Sequence, residues 1–392
     1  MTDILHYLQP IDISNIKGEY TFQANQLGEI INVYSLEGSF PDLKKINIAL
    51  IGVQEDRAAF NNTGCGLAPD MIRKHLYPLF QGSYPIKIAD LGNIKKGFNI
   101  EDSYFALKTV IEHLIKNSIL PIILGGSQDL TYANYLAYEH LEQTVNVITI
   151  DSALDLGELD GQLDSRSYLS KIILHQPNFL FNFSNIGYQT YFVDQQSLDL
   201  MAKLYFDVYR LGQVRENLEE VEPIIRNADI LSFDISAIRQ PDAPANSNAS
   251  PNGFYGEEAC QIMRYAGMSD KLSSIGLYEV NPSLDKSNQS THLVAQMIWY
   301  FIDGYYNRKK DFPIGDKTDY LKYRVAIKNH KYEIVFYKSN KSDRWWMLVP
   351  FPSNKKIKYE RHHLVPCSYS DYQTACKEEM PDRWWQTFQK LS

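Results

Sequence analysis

The chain of 392 residues carries a formal net charge of −8, with 44% hydrophobic and 22% charged residues, a composition suited to a large globular core. The acidic balance and the lack of a long basic run argue against nucleic acid or an anionic membrane surface as a partner, and no apolar stretch approaches the roughly 20 residues of a membrane span. Four scattered cysteines, Cys65, Cys260, Cys367 and Cys376, form no CxxC pair and read as reduced cytoplasmic thiols, neither a disulfide framework nor a zinc site.

The first residues, "MTDILHYLQPIDIS", lack the basic-then-apolar order of a signal peptide. Residues 1–45 show no clear motif and are expected to pack as an N-terminal arm. From residue 46 onward, short runs apolar on both faces recur: "INIALIGV" (46–53), "ILPIILGG" (119–126), "VNVITID" (145–151), "SNIGYQ" (184–189), "ADILSFDIS" (228–236) and "SSIGLYEV" (273–280). Such runs are expected in the middle of a parallel sheet. Between them lie amphipathic patterns, clearest in "EDSYFALKTVIEHLIKN" (101–117), where Leu107, Val110, Ile111 and Leu114 form one face and Asp102 or Ser103 is the expected N-cap. The alternation predicts an α/β fold with three αβα layers around a mainly parallel sheet, spanning residues 46–306. In such sheets ligands gather beyond the carboxyl ends of the strands, where Asp151, Asp234 and Glu279 fall.

After Tyr306 the texture changes. Residues 307–319 read as a polar linker, and 320–392 as a Trp-rich extension with a β-hairpin in "YRVAIKNHKYEIVFYKS". "DRWW" occurs at 343–346 and 382–385; both Trp pairs are expected to pin the extension onto the main domain or a neighbouring subunit.

The stretches "GVQEDRAAFNNTGCGLAPDMIRKHL" (52–76), "LGGSQDLTYANY" (124–135), "IDSALDLGE" (150–158), "SFDISAIRQPDAPA" (232–245) and "GLYEVNPSLDKSNQSTHLVAQ" (276–296) resemble, block by block, the ureohydrolase superfamily of arginases, agmatinases and formimidoylglutamases. The spacing of "GFYGEEACQIMRYAGMSDKLSSIGLYEVNP" resembles the formimidoylglutamase branch. The resemblance implies an arginase-like fold and two Mn²⁺ ions, held by GGDHS, DAHxD and DxDxxDP motifs, that activate a bridging water.

The chain departs from that pattern at the ligands themselves. Gln128 and Ala153 stand where the family has histidines, Ser236 where it has an aspartate, and Arg239 reverses the charge of a further aspartate. By the resemblance, Gln128, Asp151, Asp155 and Asp234 would form a remnant single site of oxygen donors, suited to Mg²⁺, Ca²⁺ or Mn²⁺. The second site would lose its imidazole and its own carboxylate, so the expectation is no metal or at most one divalent cation. Three crowded carboxylates then need a cation, a shared proton or a guanidinium such as Arg239 to offset their repulsion. Glu279 matches the acid that holds a substrate amidine, and no catalytic residue is assigned beyond it. Asp129 is expected to cap the following helix, Cys65 to be a packed thiol, and the adjacent His362 and His363 to face opposite ways.

The favoured expectation is therefore a catalytically impaired or inactive homologue with a binding or assembly role. The alternative is a mono-metal hydrolase of a C–N bond in a formimino or guanidino compound. A third reading makes the Trp-rich tail the functional part. A small guanidino or formimino ligand and a homo-oligomer are the expected partners.

Overall fold

The computed structural model describes residues 4–82, 85, 87–141, 143–157, 162–313, 318–327, 332–351 and 361–391. Ten strands form one sheet: β1 (Leu8–Gln9), β2 (Asn32–Val33), β3 (Ile48–Val53), β4 (Ile88–Ile94), β5 (Leu120–Leu124), β6 (Val145–Ile150), β7 (Leu180–Tyr188), β8 (Asp207–Arg210), β9 (Ile230–Asp234) and β10 (Ser274–Tyr278). Their order is β1-β4-β3-β5-β10-β9-β6-β7-β8, with β2 also pairing β4. Every pairing is parallel except that of β1 with β4.

The sheet is mainly parallel because its central runs are apolar on both faces, and both faces are covered. Ile48, Leu50, Ile122, Ile148, Leu231 and Ile275 face the helices Ala68–Leu76, Gly256–Gly267 and Gln289–Tyr306. Ala49, Ile51, Ile123, Val147 and Ile230 face Ile100–Lys116, Leu130–Leu136 and Tyr168–Leu174. This is the three-layer αβα arrangement expected from the sequence. The N-terminal residues add β1 and β2 to one edge of the sheet.

The helix Ile100–Lys116 buries Leu107, Val110, Ile111 and Leu114 as expected, but its cap is different. Asn99 is the N-cap, and Asp102 is the third helical residue of a reciprocal capping box: Asp102 N–H donates to Asn99 at 2.8 Å, and Asn99 N–H to Asp102 at 3.1 Å.

The C-terminal part forms a separate antiparallel sheet of β11 (Tyr320–Ile327), β12 (Tyr332–Ser339), β13 (Trp345–Leu348) and β14 (Leu364–Cys367), in that order. β11 and β12 pair as a hairpin, whose expected "KNHK" turn lies outside the described residues. The four tail tryptophans take different places. Trp345 stacks on Tyr372 at 5.0 Å, and Trp384 donates to the Leu348 carbonyl at 2.9 Å, both inside the extension. Trp346 meets the main domain, with the Arg226 guanidinium 4.5 Å from its ring centre; Trp385 is 45% exposed. Arg226 is buried and also donates to the Cys367 carbonyl at 3.1 Å. Arg361 pairs with Asp229 at 2.6 Å, and Arg383 with Glu220 at 3.1 Å. Among the described residues no helix is long and apolar enough to cross a membrane.

Candidate functional site at the strand ends

The strand order brings four neighbouring carboxyl ends together. β5, β10, β9 and β6 lie side by side, and they are followed by Gln128, Glu279, Asp234 (the last residue of β9) and Asp151. The turn after β5 needs glycine: Gly125 and Gly126 have φ of +77° and +76°, and a Cβ at Gly126 would stand 2.4 Å from Leu130 Cδ1 and 2.8 Å from the Glu55 carbonyl. That turn drops Ser127, Gln128 and Asp129 into the interior, each no more than 1% exposed.

Asp151 and Asp234 hold themselves by short loops. Asp151 Oδ1 accepts from Ala153 N–H at 2.9 Å, and Asp234 Oδ1 from Ser236 N–H at 2.7 Å. The degenerate positions therefore serve the cluster through their backbones. Ala153 supplies no side-chain donor, and its carbonyl accepts from Asn185 at 2.8 Å. Ser236 is buried, its hydroxyl 3.4 Å from that of Ser152.

All three aspartates are pushed above the usual carboxylate range. Burial is the main cause at Asp151. At Asp155 burial is reinforced by the charges of Asp151 and Asp234, and at Asp234 by those of Asp151 and Glu279. Asp151 Oδ2 and Gln128 Oε1 are buried without a hydrogen-bond partner among the described residues, and a proton kept on Asp155 would serve Asp151 alone. A carboxyl–carboxylate pair sharing one proton is the arrangement this crowding favours.

Arg239 takes no part. It forms a bidentate pair with Asp242 (2.9 Å for both contacts) and lies 3.9 Å over the Tyr255 ring. The sequence reading that offered its guanidinium as a counter-charge to the aspartates is corrected here: a partner three residues away and an aromatic face hold it at the surface.

Glu279 is 3% exposed and sits at φ +65°. Its Oε1 accepts from Gln128 N–H at 2.9 Å, and its Oε2 from Asn62 Nδ2 at 2.7 Å. Burial, the largest influence, pushes its carboxyl up to about 7. Asn62 was not singled out in the sequence, although it lies in the first of the quoted blocks; it also donates to the Glu279 carbonyl at 2.9 Å, fixing the residue from two sides. Asp129 does not cap the next helix by its side chain. It accepts from the Tyr104 hydroxyl at 2.5 Å, and burial pushes it up to about 6. Cys65 is fully buried, which raises its thiol far from reactivity. His362 and His363 have separate neighbours: His362 stacks on Phe181 at 3.8 Å, and His363 packs against Phe351.

A cleft of about 660 Å³ opens between the loops that follow β3 and β6, lined by Arg57, Phe60, Asp164 and Arg166. Arg166 lies over the Phe60 ring at 4.4 Å, and its charge reaches Asp155.

As a metal centre the donor set is unequal. The unpartnered oxygens of Asp151 and Gln128, with Asp155 and Asp234, suit one hard cation. The set that would hold a second ion lacks a donor at Ala153 and has a neutral hydroxyl at Ser236. As the side chains are placed, no three His, Cys, Asp or Glu among the described residues are arranged to hold an ion. A proton-sharing acid pair turns its oxygens toward each other, so an ion would have to displace that proton.

Comparison with known proteins agrees with the topology. Residues 46–303 match the Arginase family. Curated relatives include a formimidoylglutamase of Staphylococcus haemolyticus, 26% identical over 270 residues (66% of this chain, 86% of the relative), and one of Streptococcus gordonii, 25% identical over 307 residues (72% and 92%). Similar solved structures include Trypanosoma cruzi formiminoglutamase with Mn²⁺ (TM-score 0.66, 19% identity, covering 72% of this chain and 99% of that one). The formimidoylglutamase of Bacillus subtilis gives TM-score 0.66, 20% identity and coverage of 74% and 96%. With two thirds of its length matched, in the order of blocks that builds this sheet, the chain belongs to the arginase family.

Proposed function

We propose that this chain is a formimidoylglutamase-like protein without the dinuclear manganese centre, catalytically impaired or inactive as a hydrolase, whose pocket binds a small guanidino or formimino ligand. The observation that carries the reading is the second donor set: Ala153 and Ser236 engage the aspartates through backbone N–H groups and bring neither an imidazole nor a carboxylate. When two ions are bound in such a fold they supply an activated hydroxide; these residues do not fit two. What remains can still recognise a cation. Glu279, held by Asn62 and the Gln128 amide, is the acid that would pair with an amidinium, and the aspartates beside it favour positive charge.

The test is metal analysis and turnover together. Purified protein equilibrated with Mn²⁺ is expected to hold no more than one equivalent and not to hydrolyse formiminoglutamate appreciably. Two equivalents with robust turnover would overturn the proposal.

A second reading is a mono-metal hydrolase, favoured by the unpartnered oxygens of Asp151 and Gln128. These residues would hold one ion with Asp155 and Asp234. One tightly held equivalent with metal-dependent turnover would select it.

A further inference from the structure

A second polar site lies at the opposite end of the sheet. Asn146 on β6, Asn182 and Ser184 on β7 and Asp207 on β8 line a small, partly open cavity of about 30 Å³, walled further by the helix Val221–Arg226 and by Val365, Arg383 and Thr387 of the C-terminal part. That volume holds about one water-sized group. A groove of about 680 Å³ shares the walls Asp207, Tyr209, Ile224, Arg383 and Gln386 with the cavity.

Two observations point to the same chemistry. Asn146 is 1% exposed; its Nδ2 donates to the Asn227 carbonyl at 2.8 Å, while its Oδ1 has no donor. Asp207 Oδ1 is likewise without a donor among the described residues, whereas Oδ2 accepts from Asn182 at 2.8 Å and from Ser184 at 3.3 Å and lies 3.9 Å from the Lys390 ammonium. Independently, the groove is acidic. Its one guanidinium among the described residues, Arg383, is already engaged by Glu220 at 3.1 Å and Asp371 at 3.3 Å. Glu216, Glu379 and Asp382 make no ion pair among the described residues. Buried acceptors lacking N–H donors, opening beside unneutralised carboxylates, suit an ammonium group.

We propose that this seam binds a linear aliphatic polyamine, one ammonium seated in the cavity against its unpartnered oxygens and the rest of the chain lying along the acidic groove. The alkyl stem crosses Val221, Ile224 and Met380, which supply apolar wall. The site needs the segment after residue 360 to close it, and that segment lies outside the 46–303 match to the family.

Calorimetry of the full-length protein with spermidine tests this. One equivalent is expected to bind, more weakly as salt rises. Asn146→Leu, which fills the cavity, is expected to cost tenfold or more in affinity. The variant Glu216→Gln/Glu379→Gln/Asp382→Asn, at three exposed positions, is expected to lose a similar factor and to flatten the salt dependence. Asp151→Asn/Asp155→Asn is expected to bind as wild type does. No binding by the wild-type protein, or unchanged binding by the triple surface variant, would overturn the proposal, as would loss of binding in Asp151→Asn/Asp155→Asn. Where Asn146→Leu fails to fold, the surface variant decides.

Discussion

Replacing Glu279 by glutamine separates what burial does to this acid from what its hydrogen bonds do. In the folded chain burial raises the carboxyl from 4.5 to about 7. At roughly 1.4 kcal/mol per unit, the shift is worth about 3 kcal/mol. The sign follows from which state holds the proton. Below pH 4.5 both folded and unfolded chains are protonated at this residue, and its contribution is complete. Between 4.5 and 7 the unfolded chain releases its proton first, so stability falls with rising pH, and above 7 the loss is full. Glutamine has no such dependence. It does set an NH₂ group against either Asn62 Nδ2 or the Gln128 amide, a mismatch that costs about 1–3 kcal/mol at every pH. Glu279→Gln is therefore expected to be less stable than wild type at pH 4.5 and to gain on it by about 3 kcal/mol by pH 8. Urea unfolding of both EDTA-treated proteins at pH 4.5, 6 and 8 measures the difference. Asp151 and Asp155 titrate in both proteins, whereas Asp234 loses the push of the Glu279 charge in the variant, which adds to the gain at high pH. A difference constant within about 0.5 kcal/mol across that range would refute the raised carboxyl.

Three further outcomes are expected. Gln128→His, Ala153→His and Ser236→Asp together should raise Mn²⁺ uptake to two equivalents by titration calorimetry, without any change at Arg239; a folded triple variant that takes up no extra metal would show that these loops are wrongly matched to the family's. Arg239→Ala should leave metal uptake unchanged and cost only about 0.5–1 kcal/mol, because its pair with Asp242 is part-exposed. Trp346→Ala should cost roughly 3–5 kcal/mol in urea unfolding, the usual toll for emptying a buried tryptophan site, and a loss below about 1 kcal/mol would mean that the extension is not docked through it.

What could be read from the sequence was whatever depends on neighbours along the chain. The runs at 145–151 and 228–236 announced central strands because two buried faces leave no polar alternation, and Asp151 and Asp234 at their ends followed from the general place of ligands in such sheets. The helix at 101–117 was legible in its apolar face but not in its cap, since Asp102 is a residue type that suits either the cap or the third helical position, and only Asn99 decides between them. Arg239 was misplaced for the opposite reason. Its guanidinium was weighed, with a cation and a shared proton, as one of three offsets to the carboxylates, whereas Asp242 and Tyr255 engage it locally. Asp129 and Glu279 find their partners at Tyr104 and Asn62, far upstream, and no spacing rule connects such residues. The two-residue strands β1 and β2 are too short to show any period.

Arg226 has a wider consequence. This guanidinium belongs to a helix of the α/β domain, yet its buried surroundings are completed by Trp346 and the Cys367 carbonyl. Detaching the extension would leave a cation in a half-lined hollow with Glu222 as its near counter-ion. The two parts are thereby coupled through one side chain: on heating, the two sheets should come apart in a single cooperative step.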